Sequence, residues 1–149
     1  MDNFKFWQTW LFVVSLAIIA FGFVLAFFNQ TAVFDLLFNN RIDPAFWPAT
    51  TPVTADVKLF QQWAYGVLGA MCIGWGIFMA FVAYRLFRAK EKWAWNCFAL
   101  GITAWFVVDT AISLYFGVTF NAAFNIVLFV AVGLPLVFTR KDFVEPSRS

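Results

Sequence analysis

Apolar residues run almost unbroken from Trp10 to Phe28, with Ser15 the only markedly polar residue among the nineteen. At ~1.5 Å per residue this stretch makes a helix of roughly 28 Å, close to the hydrocarbon thickness of a bilayer. It predicts a first helix near 8–28. The stretch ends Ala26-Phe27-Phe28-Asn29, which lacks the small-residue pattern of a signal-peptide cleavage site, so it reads as a retained helix. A second stretch, uncharged from Leu59 to Tyr84, predicts a helix near 57–88. Between Lys92 and Arg140 lie 47 residues with a single charge, Asp109. One helix of that length overshoots a bilayer, whereas two joined by a tight turn fit it. The break falls at Phe116-Gly117-Val118-Thr119-Phe120-Asn121. Gly117 suits a left-handed cap, and Thr119 or Asn121 can start the next helix. Helices are therefore expected near 92–116 and 120–139. Pro135 is expected to kink or end the last one and to free the carbonyl of residue 131.

The one long connection, 29–56, is too apolar for a freely solvated loop. Phe34, Leu37 and Phe38 share a face at helical spacing, which predicts a short helix on the membrane surface or across the bundle mouth. Asp43-Pro44 reads as an N-cap and first helical residue, Pro48 to Pro52 as extended, and Thr54 or Asp56 as the cap of the second helix. Asn29-Gln30-Thr31 matches a glycosylation sequon but abuts the first helix.

Composition sharpens this picture. Of 149 residues, 63% are hydrophobic and 12% charged, against about 45–50% and about 25% in an average soluble domain. The expectation is an all-α, single-domain integral membrane four-helix bundle. A net charge of +2 gives no reason to expect a nucleic-acid partner. The chain has no histidine, which removes the commonest general base and metal ligand. No cofactor or metal is expected.

Eight cations (Lys5, Arg85, Arg88, Lys90, Lys92, Arg140, Lys141 and Arg148) fall at the termini and the second connection, and Arg41 and Lys58 alone in the first. That bias predicts both termini in the cytoplasm and the 29–56 loop outside. Trp7, Trp10, Trp93 and Trp95 sit where interfacial anchors belong. Cys72 and Cys97 differ in depth by roughly 15 Å by helix rise, too far for a disulfide; both read as small buried residues.

Asp109 is the residue that needs explaining. A charged side chain at a helix centre costs about 2.5–3.5 kcal/mol, so it should face protein or water. Trp105, Asp109 and Ser113 recur at four-residue steps, as do Asn121 and Asn125, while Gln62 and Tyr65 lie at comparable depth on the second helix. A polar cluster of Asp109, Ser113 and Asn125 with Gln62 or Tyr65 is expected in the outer half of the bundle. Its role is either helix register or binding of a ligand or proton. Gly66, Ala70 and Gly74 form a small-residue row suited to close helix packing, within the bundle or in a dimer. Trp75 and Trp105 can line a cavity for a flat apolar molecule. Arg85, Arg88, Lys90 and Lys92 form a basic patch suited to anionic headgroups.

The landmarks Gly66-Val67-Leu68-Gly69-Ala70, Gly74-Trp75-Gly76, Glu91-Lys92-Trp93-Ala94-Trp95, the four-residue steps from Trp105 to Asn125, Leu134-Pro135 and Thr139-Arg140-Lys141 follow one another in order. In that order the chain resembles small four-helix bacterial integral membrane proteins of no assigned activity. The resemblance implies an architecture from Trp63 onward, and no mechanism. The four-helix sterol isomerase-like family is a poorer likeness, since it calls for His and Glu inside the bundle. The function expected is that of a non-enzymatic accessory subunit or a binder of a lipid or apolar ligand in the bacterial inner membrane. Its partners would be the bilayer and a larger membrane complex or a homo-oligomer. The alternative is a proton-coupled transporter or oligomeric channel using Asp109.

Overall fold

The computed structural model describes residues 3–48 and 51–144. Among them there are no strands, and four helices are long and apolar enough to cross a membrane. These are α1 (Asn3–Phe27), α2 (Ala55–Phe81, prolonged by π-helical turns over Val82–Phe87), α3 (Lys92–Tyr115) and α4 (Thr119–Val144). Between 17% and 33% of each helix's most apolar window is buried in the bundle. The rest, including Phe78, Leu100, Tyr115 and Val137, faces outward and needs a non-aqueous solvent.

The first and last helices are both longer than hydropathy alone suggests, and at the same end of the bundle. α1 starts five residues before the expected position 8. Its first turn is held by packing: the Phe4 ring lies 5.9 Å from Phe87 and 5.9 Å from Phe143, with the Lys90 ammonium 4.7 Å from its centroid. α4 passes through Pro135 rather than ending there and runs five residues beyond the expected 139. The carbonyl that Pro135 leaves without its helical donor belongs to Ala131, and Trp10 Nε1 donates to it across the bundle at 2.9 Å. Trp95 Nε1 donates likewise to Leu136 O at 2.9 Å. Two expected interfacial anchors thus serve as internal donors. Trp7 stacks on Phe138 at 4.8 Å, and Trp93 stays exposed.

Packing is most extensive between α1 and α2, then between α3 and α4; α1 against α4 joins the two pairs. Glycines set the first contact. A Cβ on Gly69 would lie 2.5 Å from Gly22 O, and one on Gly76 would lie 2.7 Å from the Ile19 side chain. The backbones of α1 and α2 therefore touch. The Gly66–Ala70–Gly74 row does not do this work: nothing lies within 4 Å of a Cβ at Gly66 or Gly74, and Ala70 is exposed. At about 100° per residue that row is turned well away from the Gly69–Gly76 edge.

α2 meets α3 chiefly through its π-helical end. There Gln8, buried on α1, donates through Nε2 to Ala83 O at 3.1 Å, the kind of inserted side chain that accompanies a π turn. The α2–α3 turn closes with Lys90 at φ 58°, Lys90 N bonding Phe87 O at 2.9 Å and Glu91 N bonding Leu86 O at 3.0 Å. Gly117 (φ 74°) ends α3 the same way, with Val118 N on Ser113 O at 2.8 Å and Gly117 N on Leu114 O at 3.1 Å. Cys72 is half-buried and Cys97 exposed, contrary to the expectation that both are buried; both are free. Ala94, Phe98 and Ile102 occupy the buried stripe of α3, which leaves Cys97 beside it.

The 29–56 connection folds as short helical turns over residues 32–45. Thr31 caps the first, accepting from Phe34 N at 3.3 Å. Phe34 is 2% exposed and stacks on Phe38 at 4.8 Å. Phe38 in turn meets Phe21 at 5.8 Å and Phe120 at 5.9 Å, which seals the bundle mouth. Leu37 is exposed instead, because the wider π winding over Asp35–Asn39 carries it off that face. Asp43 does not cap a helix; its carboxylate accepts from Gln61 Nε2 at 2.8 Å, with Pro44 in a single 3-10 turn. Thr54 caps α2 as expected. Asn29 of the sequon is buried and donates to Leu25 O at 2.7 Å. In the stretch expected to be extended, residues 49 and 50 lie outside the described residues; Thr51 N bonds Pro48 O at 2.7 Å.

Candidate functional site

Two features lie toward the end of the bundle that carries the 29–56 connection. The first is built on α3 and α4. Four-residue spacing brings Asp109 and Ser113 to one edge of α3, and Asn121 and Asn125 to the facing edge of α4. Asn121 Nδ2 donates to Asp109 Oδ1 at 2.7 Å and to Ser113 Oγ at 2.8 Å. Asn125 Nδ2 donates to the same Oδ1 at 3.0 Å and to Thr110 Oγ1 at 3.3 Å. Ser113 Oγ lies 3.1 Å from Oδ1 and 2.7 Å from the Asp109 carbonyl. One carboxylate oxygen thus gathers three neutral donors. Asn125, at 1% exposure, has its side chain committed to this contact.

The other residues expected here lie elsewhere. Gln62 is exposed, and Tyr65 bonds Asn39 Oδ1 at 3.0 Å while its ring meets Phe34 edge-on. Both leave α2 on a face turned away from Asp109. Trp105 packs against Trp75 with centroids 5.7 Å apart. Trp75, though not Trp105, borders a small cavity of about 130 Å³ between α2 and α3, with Phe78, Met79 and Gly101. Two members of the polar layer were missed. Thr110 is adjacent to Asp109, and Asn121, which shares the four-residue step with Asn125, is not among the residues expected in the cluster.

The second feature is a larger cleft, about 700 Å³, between α2 and the connection that folds over it. Ile42, Phe46 and Trp47 form one wall, and Val57, Phe60, Ala64 and Leu68 the other. The cleft surface is almost wholly apolar; Asp56, Gln61 and Tyr65 are the polar residues among its lining. The sequence signal for it was the excess of Phe and Trp in a connection otherwise rich in Pro and Thr. Among the described residues, no three His, Cys, Asp or Glu side chains gather as metal ligands.

Comparison with protein families, curated proteins and solved structures finds no match. What the chain does must follow from its own chemistry. The polar layer offers a carboxylate oxygen, Asp109 Oδ1, shared between two helices, and the cleft offers an apolar volume with a polar edge. A volume of this size lies within the ~300–1,000 Å³ range of small-molecule sites.

Proposed function

We propose that the chain is a small non-enzymatic membrane protein that binds a lipid-like molecule, on its own or as an accessory subunit of a larger complex. In this reading it sits in a cell membrane with its termini and basic turn in the cytoplasm. The observation that carries the proposal is the apolar cleft of about 700 Å³ between α2 and the connection. Asp109 then has a supporting role. Its Oδ1, bonded by Ser113, Asn121 and Asn125, fixes α3 against α4 below the mouth that Phe38 and Phe120 close. The eight-to-two distribution of Lys and Arg supports the orientation.

Native mass spectrometry of the chain purified from its membrane tests the reading. One retained amphiphile per chain is expected, lost in Ala64→Trp, which fills the cleft from α2. Full retention in that variant would refute the assignment of the cleft.

A further inference from the structure

We infer that the cleft between α2 and the connection takes a lipophilic organic cation, a quaternary ammonium or phosphonium centre carried on an apolar body; this rests on the reading of the cleft as a ligand site. Four of its lining residues are aromatic: Phe46, Trp47, Phe60 and Tyr65. The face of an aromatic ring is negative and attracts a cation within ~6 Å of its centre, most strongly where water is excluded. Ammonium and phosphonium centres that carry only carbon substituents have no N–H to satisfy, so such a wall needs few hydrogen-bonding groups.

The charge nearby has the matching sign. Asp56 is one of the lining residues, in the exposed first turn of α2, and the Asp43 carboxylate accepts from Nε2 of Gln61, another lining residue, at 2.8 Å. Neither is in an ion pair among the described residues, where the one salt bridge is Lys90–Asp142 at the opposite end of the bundle. The cations of this end do not serve the cleft. Arg41 lies 5.1 Å over the Phe120 ring and donates to Leu37 O at 2.7 Å. Lys58 is exposed and is not part of the lining. The first turn of α2 is already answered by Thr54, which accepts from Val57 N, and by the charge of Asp56. An anionic amphiphile would be repelled by Asp56, and a neutral one would gain nothing from it.

Tetraphenylphosphonium and tetraphenylborate share one shape and carry opposite charges. Equilibrium dialysis of each against the full chain in dodecyl maltoside micelles separates charge from greasiness. The phosphonium is expected to bind once per chain, about tenfold or more tighter than the borate. Asp56→Asn, at an exposed position, should remove most of that preference. Asp142→Asn, at the far end, should leave it intact. Ala64→Trp should abolish binding of both ions. Equal affinities that are both lost in Ala64→Trp would overturn the cation preference and leave the cleft as a ligand site. Binding of both ions unchanged in Ala64→Trp would overturn the inference and the reading beneath it together.

Discussion

Asp109 carries its hydrogen bonds unevenly. Ser113, Asn121 and Asn125 all approach Oδ1, at 3.1, 2.7 and 3.0 Å. An asparagine offers a carbonyl oxygen at the same place. Asp109→Asn should therefore keep the α3–α4 contact and stay near wild-type stability. Asp109→Leu leaves the Asn125 amide, which is 1% exposed, with Thr110 Oγ1 at 3.3 Å as its remaining acceptor, and should cost about 1–3 kcal/mol. Unfolding titrations with sodium dodecyl sulfate in mixed micelles compare the two variants. Equal destabilisation would mean that the charge, not an acceptor oxygen, holds the helices. Four-residue spacing made the core of this cluster legible in the sequence, because residues at i and i+4 share a helix edge wherever the helix lies. The assignment of Gln62 and Tyr65 to it failed because depth on a helix says nothing about the direction in which a side chain leaves it.

Between elements, the backbone approach of α1 to α2 decides which glycines matter. Gly69→Leu places a side chain where a Cβ alone would sit 2.5 Å from Gly22 O. Backbone cannot yield cheaply, so a loss of about 1–3 kcal/mol or more is expected. A Cβ at Gly66 or Gly74 meets nothing within 4 Å, so Gly66→Leu and Gly74→Leu should stay within about 0.5 kcal/mol of the parent. The same mixed-micelle titration reads all three. The sequence offers two glycine faces on α2, Gly66/Gly74 and Gly69/Gly76, and small-residue spacing alone cannot choose between them. The choice is made by α1, whose own glycine, Gly22, meets Gly69.

The α1–α4 contact allows a finer test. Trp10→Phe removes the donor to Ala131 O and should cost about 0.6–1.7 kcal/mol. In a Pro135→Ala background the restored N–H of residue 135 can bond that carbonyl itself, so the same change should cost markedly less. A double-mutant cycle with no coupling would show that the Trp10 bond is unrelated to the proline. The freed carbonyl was legible from Pro135; its donor, 121 residues away in the chain, was not.

At the scale of the molecule, the span Ala55–Phe87 is 33 residues, roughly 50 Å at helical rise, against a hydrocarbon core of about 30 Å. The excess must emerge or tilt, and charge says where. Lys58 stands near one end, while Arg85 and Arg88 flank Tyr84 at the other, their guanidinium groups 5.8 and 6.0 Å from its ring centre. The Lys90–Asp142 pair and the contact of Phe4 with Phe143 bring α1, the α2–α3 turn and α4 together at that basic end. The positive-inside rule predicts that this end faces the cytoplasm. With Cys72 and Cys97 changed to Ala, a single cysteine at Ala45 should react with a membrane-impermeant maleimide on intact cells. One at Ala89 should react only after permeabilisation; both positions are exposed, so access and not burial decides the result. Neutralising Arg85, Arg88, Lys90 and Lys92 to Gln removes all four cations of the α2–α3 turn and leaves Arg41 and Lys58 in place. If charge sets the orientation, part of the population should then invert, and Ala89→Cys should begin to label from outside. An unchanged pattern would assign the orientation to the helices themselves, with α1 the first candidate.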